Sequence, residues 1–239
     1  MNDEPEAPAL PRVDPTADDE ALAAAYSPEL LASLLADGDD DLAAWTIGHA
    51  LAEAPRAAVY DGLVTDAMRL VGERWRAGEW GIAEEHLASR TLLRTLERIR
   101  PEVGAEGRIG PLAVLAGAAG EHHMIGLVCL EHLLVENGWT VANLGADVPA
   151  ADLGTFVQRN DASLVALTAS RDDRRPVIAE TVGTVRTAAR HRLPVMLGGA
   201  LGAQPDIAAA LDLDWAGASL TEALRFADRV FADLSAGEA

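Results

Sequence analysis

From Gly110 onward the chain carries short apolar runs at 111–118, 140–144, 163–169, 194–197 and 214–218, each followed by a segment with helical spacing. No other feature narrows the fold so far. Apolar runs of strand length that alternate with helical segments read as βα units. Strands apolar throughout are buried on both faces, as in a parallel sheet covered by helices. The expected fold of residues 110–236 is therefore a five-stranded parallel flavodoxin-like (Rossmann-like) α/β domain. Sheets of this kind bind ligands outside the carboxyl ends of their strands.

The preceding stretch keeps apolar residues at helical spacing instead, as in Leu30, Leu31, Leu34 and Leu35, then Leu63, Ala67, Leu70 and Val71. It predicts four helices, at 27–36, 39–53, 55–77 and 82–99. Short polar turns such as Asp37-Gly38-Asp39 make neighbouring helices antiparallel and the whole a small bundle. The expected organisation is an acidic disordered tail over 1–26, a helical-bundle cap over 27–103, a linker over 104–109 and the α/β domain over 110–236. The first twenty residues hold seven acidic groups, one arginine and four prolines, which suits a disordered tail and not a signal peptide.

Charge and composition remove several function classes. A net charge of −19 argues against direct nucleic-acid binding, which depends on basic side chains that neutralise phosphates. No helix-turn-helix signal precedes the bundle. All nineteen basic residues are arginines, so Schiff-base chemistry, pyridoxal phosphate attachment and a Walker-type phosphate loop are excluded, and a phosphoacceptor receiver domain is disfavoured. No apolar run is long enough to span a bilayer, and a cytoplasmic location with no membrane association is expected. The single cysteine, Cys129, cannot form an internal disulfide and suits a small core position.

The chemistry concentrates in Glu121-His122-His123-Met124-Ile125-Gly126, between the first expected strand and the helix that follows it. A metal-ligating imidazole must be neutral, and it commonly gives its second ring proton to a carboxylate. Glu121 lies two residues before His123 and can take that proton. Read alone, the hexapeptide also fits a solvated loop and helix start, where acidic groups suit the helix dipole. Two later landmarks follow at the ends of the third and fourth strands, Thr168-Ala169-Ser170 and Gly198-Gly199.

These three elements, in this order, resemble the cobalamin-binding domain family, whose pattern is Asp-x-His-x-x-Gly, then Ser-x-Leu, then Gly-Gly. The resemblance implies that His123 is the lower axial ligand of cobalt, replacing the cofactor's own dimethylbenzimidazole in a base-off, histidine-on complex. It makes Glu121 the carboxylate that orients His123, Gly126 the glycine after it, and Thr168 and Ser170 the second element. Gly198 and Gly199 would let the nucleotide tail pass close to the backbone. The glycine three residues on selects His123 over His122. Glu121 stands where most of the family has Asp, as in its light-sensing branch, and Thr-Ala-Ser stands for Ser-x-Leu.

In the bundle, Trp75 is followed after residues 76–84 by Glu85-His86. By themselves these residues, with Trp80 and Glu84, also read as bundle core and an exposed helix start. The arrangement resembles CarH-type photoreceptors, in which a helical domain caps the upper face of adenosylcobalamin. Carried over, Trp75 packs against the adenosyl group while Glu85 and His86 line the same cavity. Arg76 stands where the best-known of these light sensors have a histidine that binds cobalt after illumination, and Arg cannot ligate a metal. His86, water or another ligand is left for that place. Photocobilins, which pair a cobalamin domain with a bilin, are also similar, so biliverdin is a candidate second chromophore with no residue assigned to it.

The resemblance implies a cobalamin-dependent photoreceptor, not an enzyme, with a corrinoid methyl carrier serving methyltransferases as the alternative. Output through a homo-oligomer, a dimer foremost, or through a protein effector is expected, and the acidic surface favours a basic partner. Arg171, Arg174 and Arg175 cluster after the third strand. A solvated charge run fits them, and so does contact with the phosphate of the nucleotide tail. His49, His132 and His191 have no companion at ligand spacing and are read as structural.

Overall fold

The computed structural model describes residues 26–101 and 110–237. The expected tail, Tyr26 excepted, and the expected linker lie outside these residues. The described chain divides into two compact units, one holding 26–54 and Gly62–Arg98, the other holding Pro55–Asp61 and the residues from Ile99 onward.

The helices of the N-terminal half are α1 (Pro28–Asp37), α2 (Asp40–Glu53), α3 (Arg56–Val59), α4 (Thr65–Arg76) and α5 (Ile82–Arg98). Side chains start the first two. Ser27 Oγ accepts from the Leu30 N–H at 3.2 Å, and Asp39 Oδ1 accepts from the Leu42 N–H at 3.0 Å. Gly38, at φ 79, ends α1 in the left-handed conformation that glycine adopts without penalty. The core of the first unit is built from Leu31, Leu35, Ile47, Ala67, Val71, Leu92 and Leu96, all fully buried.

The continuous helix expected over 55–77 is interrupted. Between α3 and α4 the chain makes a π-helical turn, Tyr60–Val64, and the boundary between the two units falls inside it. Periodicity does not reveal the turn, because Tyr60, Leu63 and Val64 on either side of the extra residue are all buried.

In the second unit, β1 (Leu112–Gly117), α6 (Ile125–Glu136), β2 (Thr140–Asn143), α7 (Ala150–Asn160), β3 (Leu164–Thr168), α8 (Arg175–Ala188) and β4 (Val195–Gly198) alternate. They are followed by α9 (Gly199–Gly202), α10 (Ile207–Ala210), β5 (Trp215–Ala216) and α11 (Leu220–Gly237). The sheet is parallel throughout, in the order β2-β1-β3-β4-β5. Two departures from expectation stand at its far edge. β4 leads into two single-turn helices instead of one full helix, and β5 is cut to two residues beside them.

Side-chain alternation sends each strand into two cores. Val114, Ala116, Val165, Leu167, Val195 and Leu197 pack with Leu153, Val157, Ile178 and Val182 of α7 and α8. Ala113, Leu115, Leu164, Ala166 and Met196 pack on the other face with Leu127, Leu130 and Leu134 of α6 and Ala223 and Ala227 of α11. Among the described residues no helix is long and apolar enough to cross a membrane.

Residues 55–61 are fastened into this second unit by polar contacts. Arg56 Nη1 donates to the Tyr60 hydroxyl at 3.0 Å, and that hydroxyl meets His132 Nδ1 of α6 at 2.7 Å. The Asp61 carboxylate accepts from Ser219 Oγ at 2.8 Å, the Leu220 N–H at 2.6 Å and the Thr221 N–H at 2.9 Å. It thereby caps α11, whose first N–H groups have no partner within the helix.

Candidate functional site

The loop leaving β1 is tied to the loop after β2 by three hydrogen bonds. The Gly117 N–H donates to the Gly145 carbonyl at 2.7 Å, the Gly120 N–H donates to Asp147 Oδ1 at 2.7 Å, and the Asp147 N–H donates to the Glu121 carbonyl at 2.9 Å. Asp147 adopts φ 56, a left-handed conformation that Asp tolerates better than most residues. In the sequence the segment 144–149 reads as the loop that closes the second strand, similar to the family's loop there, but it assigns Asp147 no role of its own.

Glu121 is 3% exposed and uses both carboxylate oxygens. Oε1 accepts from the His123 N–H at 2.9 Å and lies 2.5 Å from His123 Nδ1, while Oε2 accepts from the Ser170 N–H at 2.5 Å. Burial alone raises the Glu121 carboxyl, but the His123 ring and the N–H groups of His123 and Ser170 outweigh it and bring it down to about 2. A carboxylate that meets Nδ1 orients the imidazole, as carboxylates commonly do for metal-binding histidines. The His123 side chain is 76% exposed. His122 is also exposed, but it is the ring of His123 that the carboxylate meets.

Thr168, at the end of β3, pairs in register with Gly117 of β1 and Gly198 of β4, so two of the sequence landmarks and the strand end that leads to the third share one end of the sheet. Ser170 enters through its backbone N–H, a role its side-chain type does not announce. Gly199 has φ 82, and a Cβ there would stand 2.5 Å from the Ala169 carbonyl oxygen, so the fold itself demands glycine. Gly126 and Gly198 are different. A Cβ on Gly126 meets nothing within 4 Å, and one on Gly198 meets only the Leu167 carbonyl at 3.8 Å. Internal packing does not explain these two glycines.

Among the described residues no three metal-ligating side chains cluster. The loop offers the His123 imidazole, oriented by Glu121.

A separate set lies in the bundle. Trp75, in the last turn of α4, is 48% exposed. In the first turn of α5, His86 Nδ1 lies 2.5 Å from Glu85 Oε2, and Glu85 Oε1 accepts from Ser89 Oγ at 3.0 Å. Trp80 is half-buried under the Arg74 guanidinium, 4.7 Å from its ring centre, and Arg76 is exposed.

Residues 28–100 and residues 111–224 each match a family profile described as a B12 binding domain. The chain belongs to the cobalamin-binding domain family. Among curated relatives of this cobalamin-binding protein, the HTH-type transcriptional repressor CarA of Myxococcus xanthus is 37% identical over 158 residues, 65% of this chain and 51% of CarA. The repressor CarH of the same organism is 31% identical over 155 residues, 64% of this chain and 51% of CarH. The chain thus spans about half the length of these curated relatives. The methionine synthase of Mycobacterium leprae is 24% identical over 181 residues, 71% of this chain and 15% of that enzyme. The monomethylamine corrinoid protein of Methanosarcina barkeri superposes with a TM-score of 0.72 at 18% identity, covering 87% of this chain and 98% of that one. This last likeness shows the fold.

Proposed function

We propose that this cobalamin-binding protein is a light sensor for which adenosylcobalamin is the cofactor, taken base-off, and in which His123 Nε2 would hold the cobalt. Bound, the cofactor would supply a light-absorbing corrin with a photolabile cobalt–carbon bond. The chain's own residues do the rest. Glu121 orients the His123 ring through Nδ1, and Ser170 and Asp147 hold Glu121 and its loop in place. Gly126 and Gly198 leave room at this end of the sheet, beside Thr168 and Gly199. Trp75 offers a flat apolar surface to the adenosyl group, with Glu85 accepting from ribose hydroxyls and His86 beside it. Output runs through a homodimer or a basic protein effector, biased by whether the upper ligand is present. Biliverdin is the proposed second chromophore.

The observation that carries light sensing over simple carriage is the half-exposed indole of Trp75, placed in sequence as in CarH-type photoreceptors. Identity to CarA and CarH supports it. A corrinoid methyl carrier is the second reading, favoured by the similarity to methionine synthase. A carrier needs an upper face open to two enzymes, which a covering tryptophan obstructs.

The deciding experiment is the absorption spectrum of the purified protein with adenosylcobalamin in darkness, then after illumination, with biliverdin added to a parallel sample. A base-off, histidine-bound spectrum that changes in light together with the elution volume supports the sensor. Cobalamin binding with no light response in assembly moves the assignment to the carrier.

A further inference from the structure

Three arginines follow β3, and two of them are paired with side chains of the protein itself. Arg171 donates from Nε and Nη2 to the Asp173 carboxylate at 3.1 and 2.9 Å. Arg175 donates from Nε to Asp172 at 2.6 Å and from Nη2 to Gln204. Arg174 differs. Its Nη1 makes one long contact, 3.4 Å to the Ala119 carbonyl oxygen, and its Nε is buried with no hydrogen-bond partner. The nearest carboxylate oxygen, on Asp173, is 3.9 Å from Nε, beyond hydrogen-bond reach.

The guanidinium has a prepared position. Gly120, at φ 77, lies directly under it, and a Cβ on Gly120 would come within 2.7 Å of the guanidinium carbon. Gly120 immediately precedes Glu121, so Arg174 rests on the loop that bears His123. A guanidinium always carries its charge and has five donors in a planar fork. Leaving the buried Nε without an acceptor is costly, and the side chain, 30% exposed, can be reached by an acceptor from outside.

We propose that Arg174 is a binding residue for the phosphodiester in the nucleotide tail of the corrinoid, so that it selects corrinoids with an intact tail over truncated ones. This assignment rests on the cobalamin reading of the site. The phosphodiester is the anionic group of cobalamin, and planar two-point recognition of phosphate oxygens is what an arginine fork does.

The test compares equilibrium binding of cobalamin and of cobinamide, which lacks the nucleotide tail and its phosphate, both carrying the same upper ligand. Wild type, R174K and R174Q are titrated by absorbance, with circular dichroism melts in parallel. The ratio of cobalamin to cobinamide affinity is expected to fall by about tenfold in R174Q, through cobalamin alone, and by less in R174K, which keeps the charge but not the fork. Should R174Q lose its fold, the comparison of R174K with wild type carries the result. An unchanged ratio, whether both ligands weaken equally or neither does, overturns the assignment and leaves Arg174 as a strut for the loop. Failure of wild type to bind either corrinoid overturns the cobalamin reading itself.

Discussion

His123 and His122 are adjacent and both exposed, yet only one meets the buried carboxylate. The two therefore make opposite predictions. His123→Ala is expected to abolish cobalamin binding or to remove the histidine-bound spectrum, while His122→Ala leaves both intact. Titration by absorbance reads the difference, and an equal loss from both would put the ligand in the wrong register. The motif was legible because its chemistry needs fixed residue types at fixed spacing. Its supports were not, since the Ser170 N–H is a backbone group and Asp147 reaches Gly120 from another loop. Gly199 was found for one reason and is explained by another, its left-handed backbone against Ala169.

At the scale of elements, the strands were readable because burial on both faces leaves a continuous apolar run, whatever lies beside it. The short β5 and the paired single-turn helices before it were not, because residues 199–210 are too short and too small in side chain to show a period. The π turn was hidden for the opposite reason, that its buried residues keep a nearly helical spacing. Its two polar attachments give measurable consequences. Asp61→Ala removes three acceptor contacts at the start of α11 and is expected to cost about 1–2 kcal/mol in urea unfolding.

His132, buried against Tyr60, is the second attachment. Burial first, then the charges of Arg56 and Arg100, lower its pKa from 6.5 to about 4. Between those values the unfolded chain holds the extra proton and the folded chain does not. Stability is therefore expected to fall as pH drops from 6.5 towards 4, by at most about 1.4 kcal/mol per pH unit, and this contribution levels off below 4. Urea melts across that range, compared with His132→Gln, isolate the contribution. An identical slope in the variant would remove His132 from the account.

For the whole molecule, the test of sensing is whether a change at the upper ligand alters assembly. Trp75→Ala is expected to keep cobalamin, through His123, while losing the light-dependent shift in elution volume or its dark stability. Unchanged light kinetics in that variant would deny Trp75 any part in the upper face. The net charge of −19 adds a condition, since attraction to a basic partner weakens as salt rises. Partner capture tested at low and high ionic strength should show that dependence.

The division of the molecule has a practical meaning for anyone who cuts or transplants it. The α/β unit is not one stretch of sequence, because it takes Pro55–Asp61 from within the helical half. A gene fragment beginning at Gly110 would encode every strand and the His123 loop, yet it would leave the start of α11 without its Asp61 cap and His132 buried without Tyr60. The unit that looks portable on a map of motifs is spliced through its neighbour, and the two halves must be inherited, expressed and engineered together.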